Sequence, residues 1–137
     1  MIKILKKKKQ INMLKRTNDS LVIHETPLAE IRLDGHSLTV ELDDTNEKRR
    51  KIRFHPYQAV RITTKDCVDL SSIVTVQTII DGKYQRYLWE CVDSSWIDSL
   101  KHSLADNTDN FLQKSKHFIL DLGDDLLEVI AWNTEIS

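Results

Sequence analysis

The sequence predicts an α+β fold, an antiparallel β-hairpin meander or partly closed barrel with one amphipathic helix near residues 93–105. Three observations lead there. From Ser20 onward, apolar and polar residues alternate through much of the chain, which is the period of a half-buried strand. Asp-Gly pairs at Asp34-Gly35 and Asp81-Gly82 stand between such stretches, and this dipeptide readily takes the positive φ angles of a tight hairpin turn. A single stretch changes to helical spacing, with Trp96, Ile97, Leu100 and Leu104 on one stripe.

In chain order, Met1–Asn18 shows no strand or helix start signal and contains the run Lys6–Lys9, so residues 1–18 are read as a basic flexible tail. Residues 19–137 are read as one globular domain, in keeping with a length of 137 residues and with only three Gly and two Pro. The first hairpin puts Ile31 and Leu33, then Leu38, Val40 and Leu42, on an apolar face, and Glu30, Arg32, Thr39 and Glu41 on a wet one. Asp43–Lys48 is a polar turn. The next strand points Ile52 and Phe54 inward and Arg49, Lys51 and Arg53 outward. Pro56 is expected to break its ladder, with Val60 and Ile62 resuming the alternation. A second hairpin joins Ser72–Ile80 to Lys83–Cys91. Asp93 or Ser94 caps the helix, Asn107–Asn110 ends it, and a last hairpin runs from His117–Leu122 through Gly123-Asp124-Asp125 to Leu126–Trp132.

No apolar run approaches the roughly 18 residues that a spanning helix needs, and the basic N-terminus has no apolar core of a secretory signal behind it. Cys67 and Cys91 are lone cysteines, without a Cys-x-x-Cys pair, and are expected to be packed free thiols. These features predict a soluble, cytoplasmic protein without membrane association.

Charge is distributed unevenly along the chain. Residues 1–16 carry seven basic groups and no acid; residues 17–92 carry ten and twelve; residues 93–137 carry three and nine. The chain's net −1 therefore conceals a basic tail followed by a domain of net −8, a surface that repels nucleic acid and attracts basic partners.

Catalytic and metal signatures are missing. There is no Gly-x-Ser-x-Gly elbow, no glycine-rich phosphate loop and no His-Glu-x-x-His. The five histidines, His24, His36, His55, His102 and His117, never fall at i, i+2 or i, i+4, and neither cysteine stands beside one, so no metal and no cofactor is expected. His55, in Phe54-His55-Pro56-Tyr57, is the one that a broken strand would aim into a site. Two basic features, the tail and the strand patch Lys48, Arg49, Arg50, Lys51 and Arg53, sustain an alternative reading as a nucleic-acid-binding accessory protein. Only Phe54 lies near the patch to stack on bases, however, and its alternation turns it inward. The strongest candidate site is acidic: Asp121, Asp124, Asp125 and Glu128 lie within eight residues around the last turn. Their spacing lacks the ligand alternation of an EF-hand, whereas a concentrated negative tip suits docking of a basic partner.

Three stretches carry a family resemblance: Arg53-Phe-His-Pro-Tyr-Gln-Ala-Val-Arg-Ile-Thr-Thr, Ser94-Ser-Trp-Ile-Asp-Ser-Leu, and His117-Phe-Ile-Leu-Asp-Leu through Leu127-Glu-Val-Ile-Ala. In this order the chain resembles, over residues 50–132, small bacterial immunity proteins found beside polymorphic or contact-dependent toxins. The resemblance implies a cytosolic, non-catalytic module that neutralises a cognate toxin domain. A basic nuclease, whose cleft an acidic tip would plug, fits that role. Immunity families share no single fold, so no binding residue is carried over, and Asp121, Asp124, Asp125 and Glu128 rest on charge alone.

Overall fold

The computed structural model describes residues 13–18, 20–68, 79–80, 83–104 and 111–137. Seven strands form one antiparallel sheet: β1 (Met13–Arg16), β2 (Glu30–Asp34), β3 (Ser37–Asp43), β4 (Arg49–Thr64), β7 (Leu88–Val92), β8 (Lys116–Asp121) and β9 (Asp125–Ile136), in the order β1-β7-β8-β9-β4-β3-β2. Two short strands, β5 (Ile79–Ile80) and β6 (Lys83–Tyr84), pair with each other in a separate two-stranded sheet. The helix α1 spans Ser95–Ser103. The sheet dominates and stays open, with β1 and β2 as its edges, so the expected meander is present and the partly closed barrel is not.

The sheet nevertheless curls. Phe54 on β4 pairs with Thr134 of β9, and Phe118 on β8 pairs with Val129 of the same strand. In a flat sheet those five positions along β9 would hold the side chains roughly 17 Å apart, yet the two rings meet at 5.3 Å. The bend lies in β4, which is bulged rather than broken: the register shifts between Tyr57 and Ala59, leaving Gln58 as the extra residue just beyond the cis His55–Pro56 peptide. The concave side encloses the main core of Leu38, Val40, Leu42, Ile52, Phe54, Leu88, Phe118, Leu120, Leu127 and Val129. Leu21 and Ile23 fill it from the connection between β1 and β2.

The other face is also covered. Ile97 of α1 and Leu112 of a short 3-10 turn (Phe111–Lys114) pack on Ile130, while Leu14, Tyr87, Trp89, Cys91, Ile119 and Leu126 form a second cluster toward β1. β9 is therefore buried from Leu126 to Ala131 without a break. Burial of both faces hides the alternation that an open antiparallel strand shows.

Several local expectations are refined. Met13–Arg16, expected in the tail, is a paired strand because Leu14 buries against the β7 side chains; residues 1–12 lie outside the described residues. The first turn is shifted by one residue. Asp34 pairs with Ser37, so the loop is Gly35-His36, with positive φ at Gly35 and not at His36, the pattern of a type II′ turn. The last hairpin repeats this design: Leu122 donates to the Asp125 carbonyl at 2.9 Å across Gly123-Asp124, and Gly123 has φ 100°. Ser94 is the helix cap, accepting from the Ile97 amide at 3.2 Å, and the helix is shorter than 93–105. The second hairpin exists around Ile80 and Lys83, but its first arm before Ile79 and its turn lie outside the described residues, and β7 leaves it to join the main sheet.

Candidate functional site

The two strands of the last hairpin place the four predicted carboxylates in different environments. Asp124 is exposed at the turn and Asp125 is half-buried beside it. Asp121 and Glu128 are buried, at 3% and 7% exposure. The reason is positional. Strand alternation turns Glu128 to the same side as Leu126 and Ile130, which in an isolated hairpin would be the wet side but here lies beneath α1. The concentrated negative tip expected from spacing is therefore not formed. Two of its four members are neutralised inside the fold.

Glu128 is the centre of a chain of hydrogen bonds. Arg61, directly opposite on β4, donates from Nε and Nη2 to the two carboxylate oxygens at 2.7 and 2.8 Å. His117 Nε2 stands 2.9 Å from Oε1. An ionised carboxylate only accepts, so Nε2 donates to it, and Nδ1 shares a 2.7 Å hydrogen bond with the Ser94 hydroxyl. Ser94 Oγ in turn accepts the Ile97 amide, which ties the helix N-terminus to the sheet. Burial works to raise the Glu128 pKa, but the His117 and Arg61 bonds and their charges more than offset it and hold the carboxyl at about 2. Trp96 lies edge-on to the His117 ring at 5.2 Å, and the Arg61 guanidinium stacks on Trp96 at 4.2 Å.

A serine, a histidine and a glutamate in hydrogen-bonded series have the composition of a nucleophilic relay. The geometry does not offer it to a substrate. Ser94 is 5% exposed, its oxygen already holds a helix amide, and Trp96 packs against the base. The arrangement acts as a cross-link between α1, β4, β8 and β9. No spacing rule could have found it, since residues 94, 117 and 128 come from three elements that meet only in the folded sheet. Nearby Cys91 is buried, and burial, then Glu128, Asp93 and Glu90, push its thiol up to about 11, which leaves it a packed thiol. Cys67 is exposed.

Asp121 makes a second internal cluster, with Lys65 Nζ at 2.8 Å, Arg86 Nε at 3.7 Å and the Gly123 amide at 2.9 Å. The basic strand is balanced in the same way. Arg49 meets Asp43 and Glu30, Arg50 meets Asp44, Lys51 meets Glu41, and Arg53 meets Glu135. Burial acts to raise the Asp44 pKa, but the Lys48 and Asn46 amides and Arg50 hold it below its ordinary value. Four of the five patch residues thus lie beside acids, Arg50 in a largely buried pair and the others in more open contacts. His55 is held by Ser37 at 2.8 Å, which also accepts from Arg53 at 3.0 Å, so the residue at the bend is engaged within the sheet. His24 accepts the Thr26 amide, and His36 and His102 are exposed. Among the described residues no group of three His, Cys, Asp or Glu is placed to hold a metal, and no helix is long and apolar enough to cross a membrane.

Clefts open at the surface among the described residues include one of about 380 Å³ lined by residues that include His24, Glu25, Thr45 and Arg86, and a more apolar one of about 290 Å³ between α1 and the 3-10 turn, lined by Gln58, Leu100, Ser103, Leu104, Phe111 and Leu112. Exposed Phe111 also stacks on Trp132 at 5.5 Å.

No protein-family model matches the chain, and no curated protein matches it. Among solved structures it is similar to an uncharacterized protein from Neisseria gonorrhoeae, at 14% identity and a TM-score of 0.44, covering 91% of this chain and 97% of that one.

Proposed function

We propose that this chain is a non-catalytic protein-binding module, most concretely an immunity protein that binds and neutralises a cognate toxin domain in the cytoplasm. The observation that supports this reading is the closed Ser94–His117–Glu128–Arg61 series. There the described residues bring a nucleophile, a base and an acid together, and their hydrogen bonds hold the helix to the sheet. With that trio engaged internally, the reading rests on what the surface presents. The surface retains the acidic Asp124 and Asp125 and the apolar cleft with Phe111 and Leu104 at its rim, a combination suited to a basic partner with an apolar anchor.

Co-expression with the product of the adjacent gene, followed by pull-down and a growth-protection assay, tests the reading. A one-to-one complex and protection are expected; recovery of no complex together with no protection rejects it. Replacing Asp124 and Asp125 by Asn should weaken association and flatten its salt dependence. Asp121 and Glu128 are left intact in that variant, because their removal would disturb the fold.

A further inference from the structure

Among the described residues, strand β2 is an edge of the sheet, protected only by its shortness and its charges. It carries no proline and no bulge over its five pairs with β3, and all five residues are exposed. Its apolar side chains face the same side as the core. Ile31 lies opposite Val40 and Leu33 opposite Leu38, yet Ile31 is 37% and Leu33 59% exposed, while their β3 partners are fully buried. Leu28, just before the strand, is 66% exposed.

The hydrogen-bond phase of this edge follows from the turn. In a two-residue hairpin the flanking residues, here Asp34 and Ser37, form the hydrogen-bonded pair, and pairs alternate from there. Arg32 and Glu30 therefore bond to β3, and the backbone N–H and C=O of Ile31 and Leu33 point outward. An antiparallel strand can accept them.

Charge then selects the occupant and the register. The exposed polar side of β2 reads Glu30, Arg32, Asp34, alternating in sign. Two copies related by a two-fold axis at Ile31 set Glu30 against Arg32 twice, Ile31 against Ile31, and Leu33 against Ala29 twice. Centring on Arg32 instead opposes arginine to arginine and Glu30 to Asp34. Centring on Leu33 runs the pairing into Gly35, a turn residue at φ 59°. Cross-strand pairs of opposite charge stabilise a ladder, and like pairs destabilise it. Among the described residues these charges make long contacts, Arg32 to Glu41 at 3.6 Å and Glu30 to Arg49 at 3.8 Å, which leave them able to pair across the edge as well.

We propose that β2 is a self-association edge, where a second copy of this chain adds antiparallel about Ile31 and joins the two sheets into one. This goes beyond toxin binding and does not depend on it. Analytical ultracentrifugation of the full chain across micromolar to hundreds of micromolar concentrations is the test. A shift toward twice the chain mass is expected, and single-chain mass throughout overturns the proposal. Arg32→Glu and Glu30→Arg each oppose like charges in the Ile31 register and should weaken dimerisation at least tenfold. An equimolar mixture of the two variants opposes unlike charges and should restore it. Ile31→Pro removes an outward amide that β3 does not use, and should abolish the dimer while leaving the circular dichroism spectrum unchanged. Dimerisation indifferent to all three variants, or a mixture no better than its components, overturns the edge and the register.

Discussion

The β2–β3 and β8–β9 hairpins use the same turn and the same alternation but meet opposite fates. Both close on a Gly-x pair with positive φ at the glycine, Gly35-His36 and Gly123-Asp124. In β2–β3 the apolar Ile31 and Leu33 remain exposed, although they face the core side. In β8–β9 the acidic Glu128 is buried, although a single hairpin would have left it wet. Position in the sheet accounts for the difference. β9 is flanked on both edges and covered on both faces, whereas β2 is the last strand of a curled sheet whose core ends at β3. A side chain's burial is thus set by what lies across from its element, and a polar group caught inside must be matched or it destabilises the fold.

Replacing Glu128 should test this contrast most strongly. Glu128→Gln leaves His117 and Arg61 without their acceptor charge, and should destabilise the chain by about 2–3 kcal/mol in urea unfolding, the low side of losing one partner of a buried pair, because Arg61 itself is 46% exposed. The pH profile of stability gives an independent readout. Folding lowers the Glu128 pKa from 4.5 to about 2, so its contribution is complete above pH 4.5 and disappears as pH falls toward 2. Acid unfolding of the native chain should steepen over that window, and Glu128→Gln should flatten it; an unchanged slope would place the acid sensitivity elsewhere. Ser94→Ala removes both the cap and the Nδ1 partner and should cost about 1–2 kcal/mol. At the other hairpin, Leu33→Thr should shift the stability of the dilute chain by less than about 0.5 kcal/mol. A large loss there would mean that β2 is covered in solution even at low concentration.

Much of the fold was legible from residue pattern. The hairpin at 33–38, the inward Ile52 and Phe54, the helix stripe through Ile97 and the final hairpin all follow from short-range rules. Pairing within a hairpin needs only turn chemistry and alternation. The turn itself was legible only to within one residue, because Asp34-Gly35 and Gly35-His36 both supply a glycine and register alone separates them. The strand Met13–Arg16 was hidden by its lysine-rich surroundings, since four residues offer little periodicity and its partner β7 lies more than seventy residues away. The site was least legible of all. Spacing grouped Asp121, Asp124, Asp125 and Glu128, whereas the structure separates them and joins Glu128 to His117, Ser94 and Arg61.

By itself, then, the sequence determined where the chain turns, which residues alternate and where its single described α-helix begins. Those choices depend on φ preferences, capping and side-chain period over a few residues. Tertiary structure decided which faces are covered, that the sheet curls at Gln58 without closing, that two of the four clustered acids are neutralised inside, and that β2 remains an open edge. Each of these depends on contacts between elements far apart in the chain, where burial and charge pairing, not local preference, set the energy.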